Sequence, residues 1–329
     1  MNAFFASSES GSGSYWYAPP ASQVAGEVFW LFDLIFWISA IFFFVIIAMG
    51  GFMVVKYRRR PGVDAQKTDN HNTALELLWS VIPTILVVAF FWFGFDIYMS
   101  LKRIPDDAYR INVIGQKWAW SYEYPNGMIS NMLVVPQGRN IELVLSSNDV
   151  IHSYSIPDFA TKMDAVPGRY NRLWFHAENV GEHQVFCTEY CGDGHSTMLS
   201  RLSVRNQAAF DDWYETESNF MDSETLSPVD KGKKLYGIHG CAACHSLDGK
   251  DNVAGGGPTF KGHWGTTRSL ADGSSVTMDD NYVRESILRP NAKIVAGYPK
   301  DRMPNFEGRL DDREIAALIQ FIQAQTEGK

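Results

Sequence analysis

Two stretches of the chain are apolar on every face, and the remainder alternates. Residues 34–55 run for 22 positions without a charge, and 77–95 for 19 more, with Pro83 inside the second run. At the 1.5 Å rise of a helix, about 20 such residues cross a hydrocarbon core of about 30 Å. The pattern therefore predicts a transmembrane hairpin, with helices over about 28–55 and 74–101. Pro83 is compatible with it, because neighbours in a membrane helix satisfy the carbonyl that a proline frees. From 109 the period shortens. Segments 109–114, 132–135, 141–145, 172–175, 184–186 and 199–204 are alternating or β-branched, and Pro125-Asn126-Gly127, Pro136-Gln137-Gly138 and Pro167-Gly168 punctuate them. Short strands at this rhythm predict a β-sandwich or barrel. Residues 206–226 read as a solvated helix or linker. Helices are expected at 229–239 and 311–325, the second with Ile315, Ala316, Leu318, Ile319 and Ile322 at helical spacing behind an acidic first turn.

The expected organisation is a tail (1–27), a hairpin (28–101), an all-β domain (102–205), an acidic linker (206–226) and an all-α domain (227–329). Charge orients it. Lys56, Arg58, Arg59, Arg60 and Lys67 lie between the two apolar runs, whereas 1–27 has Glu9 and Glu27 and no base. The positive-inside rule puts the basic loop in the cytoplasm, with both termini and everything after 101 outside. Lacking a basic n-region, the tail reads as a mature, flexible N-terminus and not as a secretory signal. Trp79, Trp92 and Tyr98 suit an interfacial belt. The formal net charge is −8; residues 206–226 hold six acids and no base, while 227–329 balance 14 bases against 13 acids. No basic patch points to nucleic acid.

The four cysteines form two tight pairs, a usage that points to cofactors over a disulfide framework. In Cys187-Thr188-Glu189-Tyr190-Cys191-Gly192-Asp193-Gly194-His195-Ser196-Thr197-Met198, two thiols, an imidazole and a thioether are separated by three, three and two residues. These soft and borderline ligands are the set copper prefers, and a second Cys lets two metals share bridging sulfurs. A Cys187–Cys191 disulfide and a zinc knuckle are the alternatives. Each copper needs its own imidazole, and His152, 35 residues upstream of Cys187, stands at the end of an expected strand. Cys241-Ala242-Ala243-Cys244-His245 is the attachment signature of c-type haem, with a zinc or thioredoxin-like Cys-x-x-Cys as its competitors. Met303, 58 residues after His245 and just before the last helix, is the expected second axial ligand; Met278 and His263 compete. A Met/His pair raises the iron potential.

The hairpin with Glu76-Leu77-Leu78-Trp79 and Ile82-Pro83, Trp118-Ala119-Trp120-Ser121-Tyr122-Glu123-Tyr124, His152-Ser153-Tyr154-Ser155-Ile156-Pro157, Met163-Asp164-Ala165-Val166-Pro167-Gly168-Arg169 and the Cys–His loop together resemble subunit II of haem-copper cytochrome c oxidases, over about 28–205. The part from 228 to 327, with Gly257-Pro258-Thr259-Phe260, resembles a class I cytochrome c.

The resemblance implies a multidomain membrane protein: a two-helix transmembrane hairpin, an all-β cupredoxin-like sandwich and an all-α cytochrome c domain. It implies a dinuclear CuA centre bridged by Cys187 and Cys191, with His152 and Met198 completing one copper, and His195 and the Glu189 carbonyl the other. The Glu189 side chain would face a magnesium shared with subunit I. Trp118 would be the surface port for electrons, with Ala119 where the family commonly has an aromatic. Glu76 would stand at the mouth of a proton channel, and the Pro258 carbonyl would orient His245 beside a covalent haem c. The implied function is subunit II of a caa-type oxidase in a bacterial plasma membrane, its redox domains on the periplasmic side. Electrons would pass from its haem c to CuA, then to haem a and the oxygen-reducing centre of subunit I, with proton translocation belonging to the complex. Subunit III, the bilayer and an external donor such as a cytochrome c would be further partners. The alternative is a membrane-anchored copper/haem carrier serving another terminal reductase, such as a nitric oxide reductase.

Overall fold

The structure, a computed structural model, describes residues 14–64, 71–251 and 256–327. Glu9 and Lys67, which contribute to the charge asymmetry, lie outside these residues. The chain divides into two compact units.

The first unit holds the hairpin of α1 (Gln23–Lys56) and α2 (Thr73–Lys102). Mean hydropathy reaches 2.6 in α1 and 2.1 in α2, and the most apolar stretch of each has no buried residue. Helices apolar on all faces and exposed within the described residues suit an apolar surrounding such as a lipid bilayer. Trp30 packs edge-on against Phe93 at 5.4 Å between the two helices. Both helices begin earlier than their apolar runs, α1 by several residues, because polar caps set the starts. Ser22 Oγ accepts from Ala25 N–H, and Asn72 Oδ1 from Leu75 N–H. Within α2, Pro83 has no N–H to give the preceding turn, and next to it the Thr84 hydroxyl donates to the Ser80 carbonyl at 2.7 Å.

The second unit starts with two five-stranded sheets. The strands are β1 (Tyr109–Gln116), β2 (Ala119–Glu123), β3 (Ile129–Ser130), β4 (Leu133–Pro136), β5 (Asn140–Ser147), β6 (His152–Ile156), β7 (Thr161–Ala165), β8 (Asn171–His176), β9 (Gly181–Cys187) and β10 (Leu199–Arg205). One sheet runs β3-β2-β1-β5-β8 and the other β4-β10-β9-β6-β7. Alternate residues point inward: Ile111 and Val113 on β1, and Ile141, Leu143 and Leu145 on β5, are fully buried. Strands β2, β3, β6 and β7 were not expected as strands. In β6 all five residues are buried, so the alternation that marks a half-exposed strand is missing. As a result His152 opens a strand, where the sequence pattern had it at a strand's end.

The acidic stretch also departs from expectation. Residues 207–218 form helix α3 (Gln207–Ser218), which buries Phe210 and Trp213. Trp213 meets the Tyr124 ring at 5.4 Å and Phe210 meets Tyr109 at 6.1 Å. Its acids line the outer face, so the helix is an extension of the sandwich and not a solvated spacer. The physical reason is the aromatic pair, whose buried area outweighs the polar composition around it.

The C-terminal domain is built on α4 (Pro228–Ile238), α5 (Asp280–Leu288) and α6 (Asp312–Glu327). Helix α5 was not expected from the sequence; its two buried residues, Val283 and Ile287, make too short a stripe to stand out. Helices α4 and α6 cross at Gly232. A Cβ there would lie 2.0 Å from the Ala317 carbonyl oxygen, so only glycine permits the approach.

Candidate copper and haem sites

Strands β6 and β9 lie side by side, with Tyr154 paired to Cys187, and this register carries His152 beside the loop that leaves β9. The His152 Nδ1 is 3.9 Å from Cys187 Sγ. The Cys187 and Cys191 sulfurs are 3.8 Å apart and both are free thiols, which sets aside the disulfide. Cys191 Sγ lies 3.6 Å from His195 Nδ1 and 3.8 Å from Met198 Sδ. The Cys187 thiol faces the Glu189 carbonyl at 3.3 Å. All six expected ligands therefore converge, and Met198, His152, Cys187 and Cys191 are buried.

The electrostatics of the pair suit cations. Burial alone would raise the Cys187 thiol, but hydrogen bonds from His152 and the neighbouring backbone overcome it and hold the group down at about 6. Cys191 is pushed up to about 12, by burial and then by the negative charge of Cys187. One thiolate is favourable here and the second, 3.8 Å away, is not without positive charge between them. A pair of metal ions supplies that charge.

Behind His152 stands Asp149. Its Oδ1 lies 2.8 Å from His152 Nε2, and its carboxylate also accepts from the N–H groups of Lys117 at 2.7 Å and Val150 at 2.6 Å. Burial raises the Asp149 carboxyl, but the bonds from His152 and these two amides outweigh it and hold it low. A carboxylate on the far nitrogen fixes the ring's tautomer and leaves Nδ1 for the metal. The sequence reading passed over Asp149, although its place three residues before His152 was a visible signal.

Only 5% of Trp118 is exposed, because the copper loop lies across its ring. A Cβ on Gly194 would fall 2.4 Å from Trp118 Cδ2, and one on Gly192 would lie 3.2 Å from Cζ2. The two glycines let the loop backbone rest on the indole, and Trp118 Nε1–H donates to the Cys191 carbonyl at 3.2 Å. Trp118 is thus a direct neighbour of the copper donors.

In the C-terminal domain a cleft of about 900 Å³, counted to its solvent-open mouth, is lined by His245, Pro258, Phe260, Met278, Ile287 and Met303 among others. His245 Nδ1 lies 2.8 Å from the Pro258 carbonyl, which assigns Nδ1 as the N–H donor and leaves Nε2 for iron. Phe260 stacks on the imidazole at 4.4 Å. Gly257 lies so close that a Cβ would be 2.9 Å from His245 Nδ1. Burial lowers the His245 imidazole, with the Pro258 carbonyl opposing, so the ring is neutral and able to ligate. Cys241 and Cys244 flank a single 3-10 turn ahead of His245. Met278 and His263 also line the cleft, but His263 Nδ1 is engaged by Arg268 at 2.9 Å.

Comparison with known proteins agrees with this geometry. Family profiles match the transmembrane domain of cytochrome c oxidase subunit II at 12–97, its periplasmic domain at 127–204 and cytochrome c at 229–326. Cytochrome c oxidase subunit 2 of Alkalihalophilus pseudofirmus is 28% identical over 310 residues, 90% of this chain and 87% of that one. The subunit 2 of Cereibacter sphaeroides is 30% identical over 245 residues, 62% of this chain and 80% of that one.

The chain belongs to the cytochrome c oxidase subunit II family.

A solved periplasmic domain of subunit II of cytochrome oxidase from Bradyrhizobium japonicum is 31% identical and covers 36% of this chain and 99% of that one, with a TM-score of 0.34. As a family member with a cytochrome c domain, the chain is an electron-transfer part of an oxidoreductase complex. Membership implies copper in the sandwich and haem in the C-terminal domain, and the residues present fit both: a soft, buried donor set for one, and for the other an apolar cleft with a preset imidazole. Two further candidate positions of subunit II lie elsewhere. The Glu189 side chain is exposed beside the copper loop. Glu76 heads α2, where its Oε1 accepts from Asn72 N–H at 3.2 Å and meets His71 Nδ1 at 2.7 Å, the work of a helix cap.

Proposed function

We propose that this chain is subunit II of a caa-type cytochrome c oxidase, taking electrons at its own haem domain and relaying them through the copper loop to haem a and the oxygen-reducing centre of subunit I. The observation that carries the reading is the convergence of His152, Cys187, Cys191, His195, Met198 and the Glu189 carbonyl within 3.3–3.9 Å contacts. A sulfur-bridged copper pair spreads one electron over two metals, which keeps bond changes small on reduction.

The protein supplies what the metals cannot. Cys187, Cys191, His152, His195, Met198 and the Glu189 carbonyl would hold the copper pair. Asp149 holds the His152 ring, and burial excludes water. In the haem domain Cys241 and Cys244 would attach the haem, His245 and Met303 would ligate its iron, and the Pro258 carbonyl orients the imidazole. The exposed Glu189 carboxylate suits a magnesium shared with subunit I, and Glu76 a proton-channel mouth on the basic-loop side of the membrane. The redox domains lie on the periplasmic side, and proton translocation belongs to the assembled complex with subunits I and III.

The test is purification of the complex through this chain. Oxygen uptake driven by a reduced cytochrome c, with optical bands of haem a beside haem c and a delocalised dicopper signal in electron paramagnetic resonance, is the expected outcome. Met303→Ala should turn the haem c high-spin and reactive to carbon monoxide. A complex without haem a, or one that reduces nitric oxide and not oxygen, would overturn the assignment.

A further inference from the structure

The haem domain and the sandwich fall in the same compact unit, and one group of contacts between them lies beside both candidate cofactor segments. Gly240, immediately before Cys241, faces Ala119, immediately after Trp118. A Cβ on Gly240 would lie 2.8 Å from the Ala119 Cβ. Gly240 has φ +69, a left-handed conformation that glycine takes at little cost. Beside this contact Arg309 donates from Nη1 to Gln116 Oε1 at 3.1 Å. Arg302, next to Met303, meets Asp193 of the copper loop at 3.8 Å.

These pairs join the segments that hold the two cofactors. Gly240 and Arg302 adjoin Cys241 and Met303; Ala119 and Asp193 adjoin Trp118 and the copper ligands. From Cys241 the path runs one residue to Gly240, across to Ala119, one residue to Trp118, and through its N–H to the Cys191 carbonyl, 3.2 Å away.

We infer that Ala119 is the residue that selects the donor at this face: its small side chain seats Gly240, so that the sandwich receives electrons from the chain's own haem domain, docked at the Trp118 motif. The inference rests on the proposed haem-to-copper relay and adds to it the surface and the residue that determines it. A bulky aromatic at 119 would occupy the space Gly240 fills. The ion pair to Asp193 is long and partly exposed, so it orients and holds little; close packing at Ala119 and the Arg309–Gln116 bond set the geometry. In the relay one electron leaves the ferrous haem, oxidising it to ferric, and enters the oxidised copper pair. No bond forms or breaks and no proton moves.

The experiment uses the whole oxidase complex. A photoexcited ruthenium complex reduces the haem c, and the near-infrared copper band reports arrival of the electron. Ala119→Trp is expected to slow that arrival about tenfold or more, the change in docked population that ~1.4 kcal/mol sets, with the haem and copper spectra unaltered. Transfer at the parent rate, with both spectra intact, overturns the inference while leaving the relay standing. Absence of transfer in the parent complex overturns the relay and the inference with it. Should Ala119→Trp disturb the copper spectrum, a second series decides. Gln116→Lys places like charge against Arg309 and should slow transfer, and adding Arg309→Glu should restore it. A Gln116→Lys complex at the parent rate, or a double variant as slow as the single, sinks the inference.

Discussion

At the scale of the residue, the copper site shows how much depends on atoms other than the ligands. Asp149 ties His152 to the amides of Lys117 and Val150, so one carboxylate orients a metal ligand and anchors the segment leading into Trp118. Met198 is fully buried, its sulfur 3.8 Å from Cys191. A thioether tunes a copper site more than it holds one. Met198→Leu should therefore keep the dicopper absorption but shift the reduction potential in a redox titration, and complete loss of copper would count against the ligand assignment. A second residue bears on stability. Glu142 is 2% exposed and is clasped by Arg110 at 2.9 Å and by Arg172. Burial raises its carboxyl, but the two guanidinium groups more than offset this and hold it low. A depressed folded-state value contributes stability above the unfolded value of about 4.3. That contribution disappears as the pH falls through the lower folded value. The melting temperature of the copper-loaded chain should fall across that acidic window. Removing both arginines strands a buried charge, so Arg110→Ala with Arg172→Ala should lower the melt at neutral pH more than Glu142→Gln, which removes the charge itself. Equal losses would refute the argument.

At the scale of the element, legibility followed side-chain chemistry. Strands β1, β4 and β5 are rich in aliphatic and β-branched residues and could be read from the chain whether half-exposed or buried, whereas β6 places His152, Ser153 and Ser155 at buried positions and could not. Helix α3 was legible as acidic but not as packed, since the pairing of Trp213 with Tyr124 and of Phe210 with Tyr109 spans about ninety residues or more. The two helices α4 and α6 were expected, but what lets them cross closely was not. Gly232 is one of 27 glycines, and nothing local distinguishes it from those in turns. Gly232→Ala would drive a methyl into the Ala317 carbonyl and should cost at least ~1–3 kcal/mol, as overpacked cores do. In a domain of about 100 residues each kcal/mol lowers the melt by ~4–8 °C. Conversion of the haem c from its low-spin to a high-spin spectrum at lower temperature, with the copper bands unmoved, is the expected readout; an unchanged melt would deny the close crossing.

At the scale of the whole molecule, the sequence by itself determined the parts. Apolar runs long enough for a bilayer, clustered basic residues between them, a Cys-His-Met loop and a Cys-x-x-Cys-His motif are local patterns, and local chemistry is enough to read them. It also supplied His152 and Met303 as candidate positions through their spacing, and Glu189 through resemblance to a family. Only the tertiary structure decided what depends on distant residues meeting. The β6–β9 register brings His152 to the copper loop. Gly192 and Gly194 let that loop cover Trp118, so the indole lies buried beside the candidate copper donors. Ala119 and Gly240 touch across 121 positions of chain. Each of these is a matter of close packing, where a single Cβ decides whether two backbones can meet, and no pattern along one segment records what stands opposite.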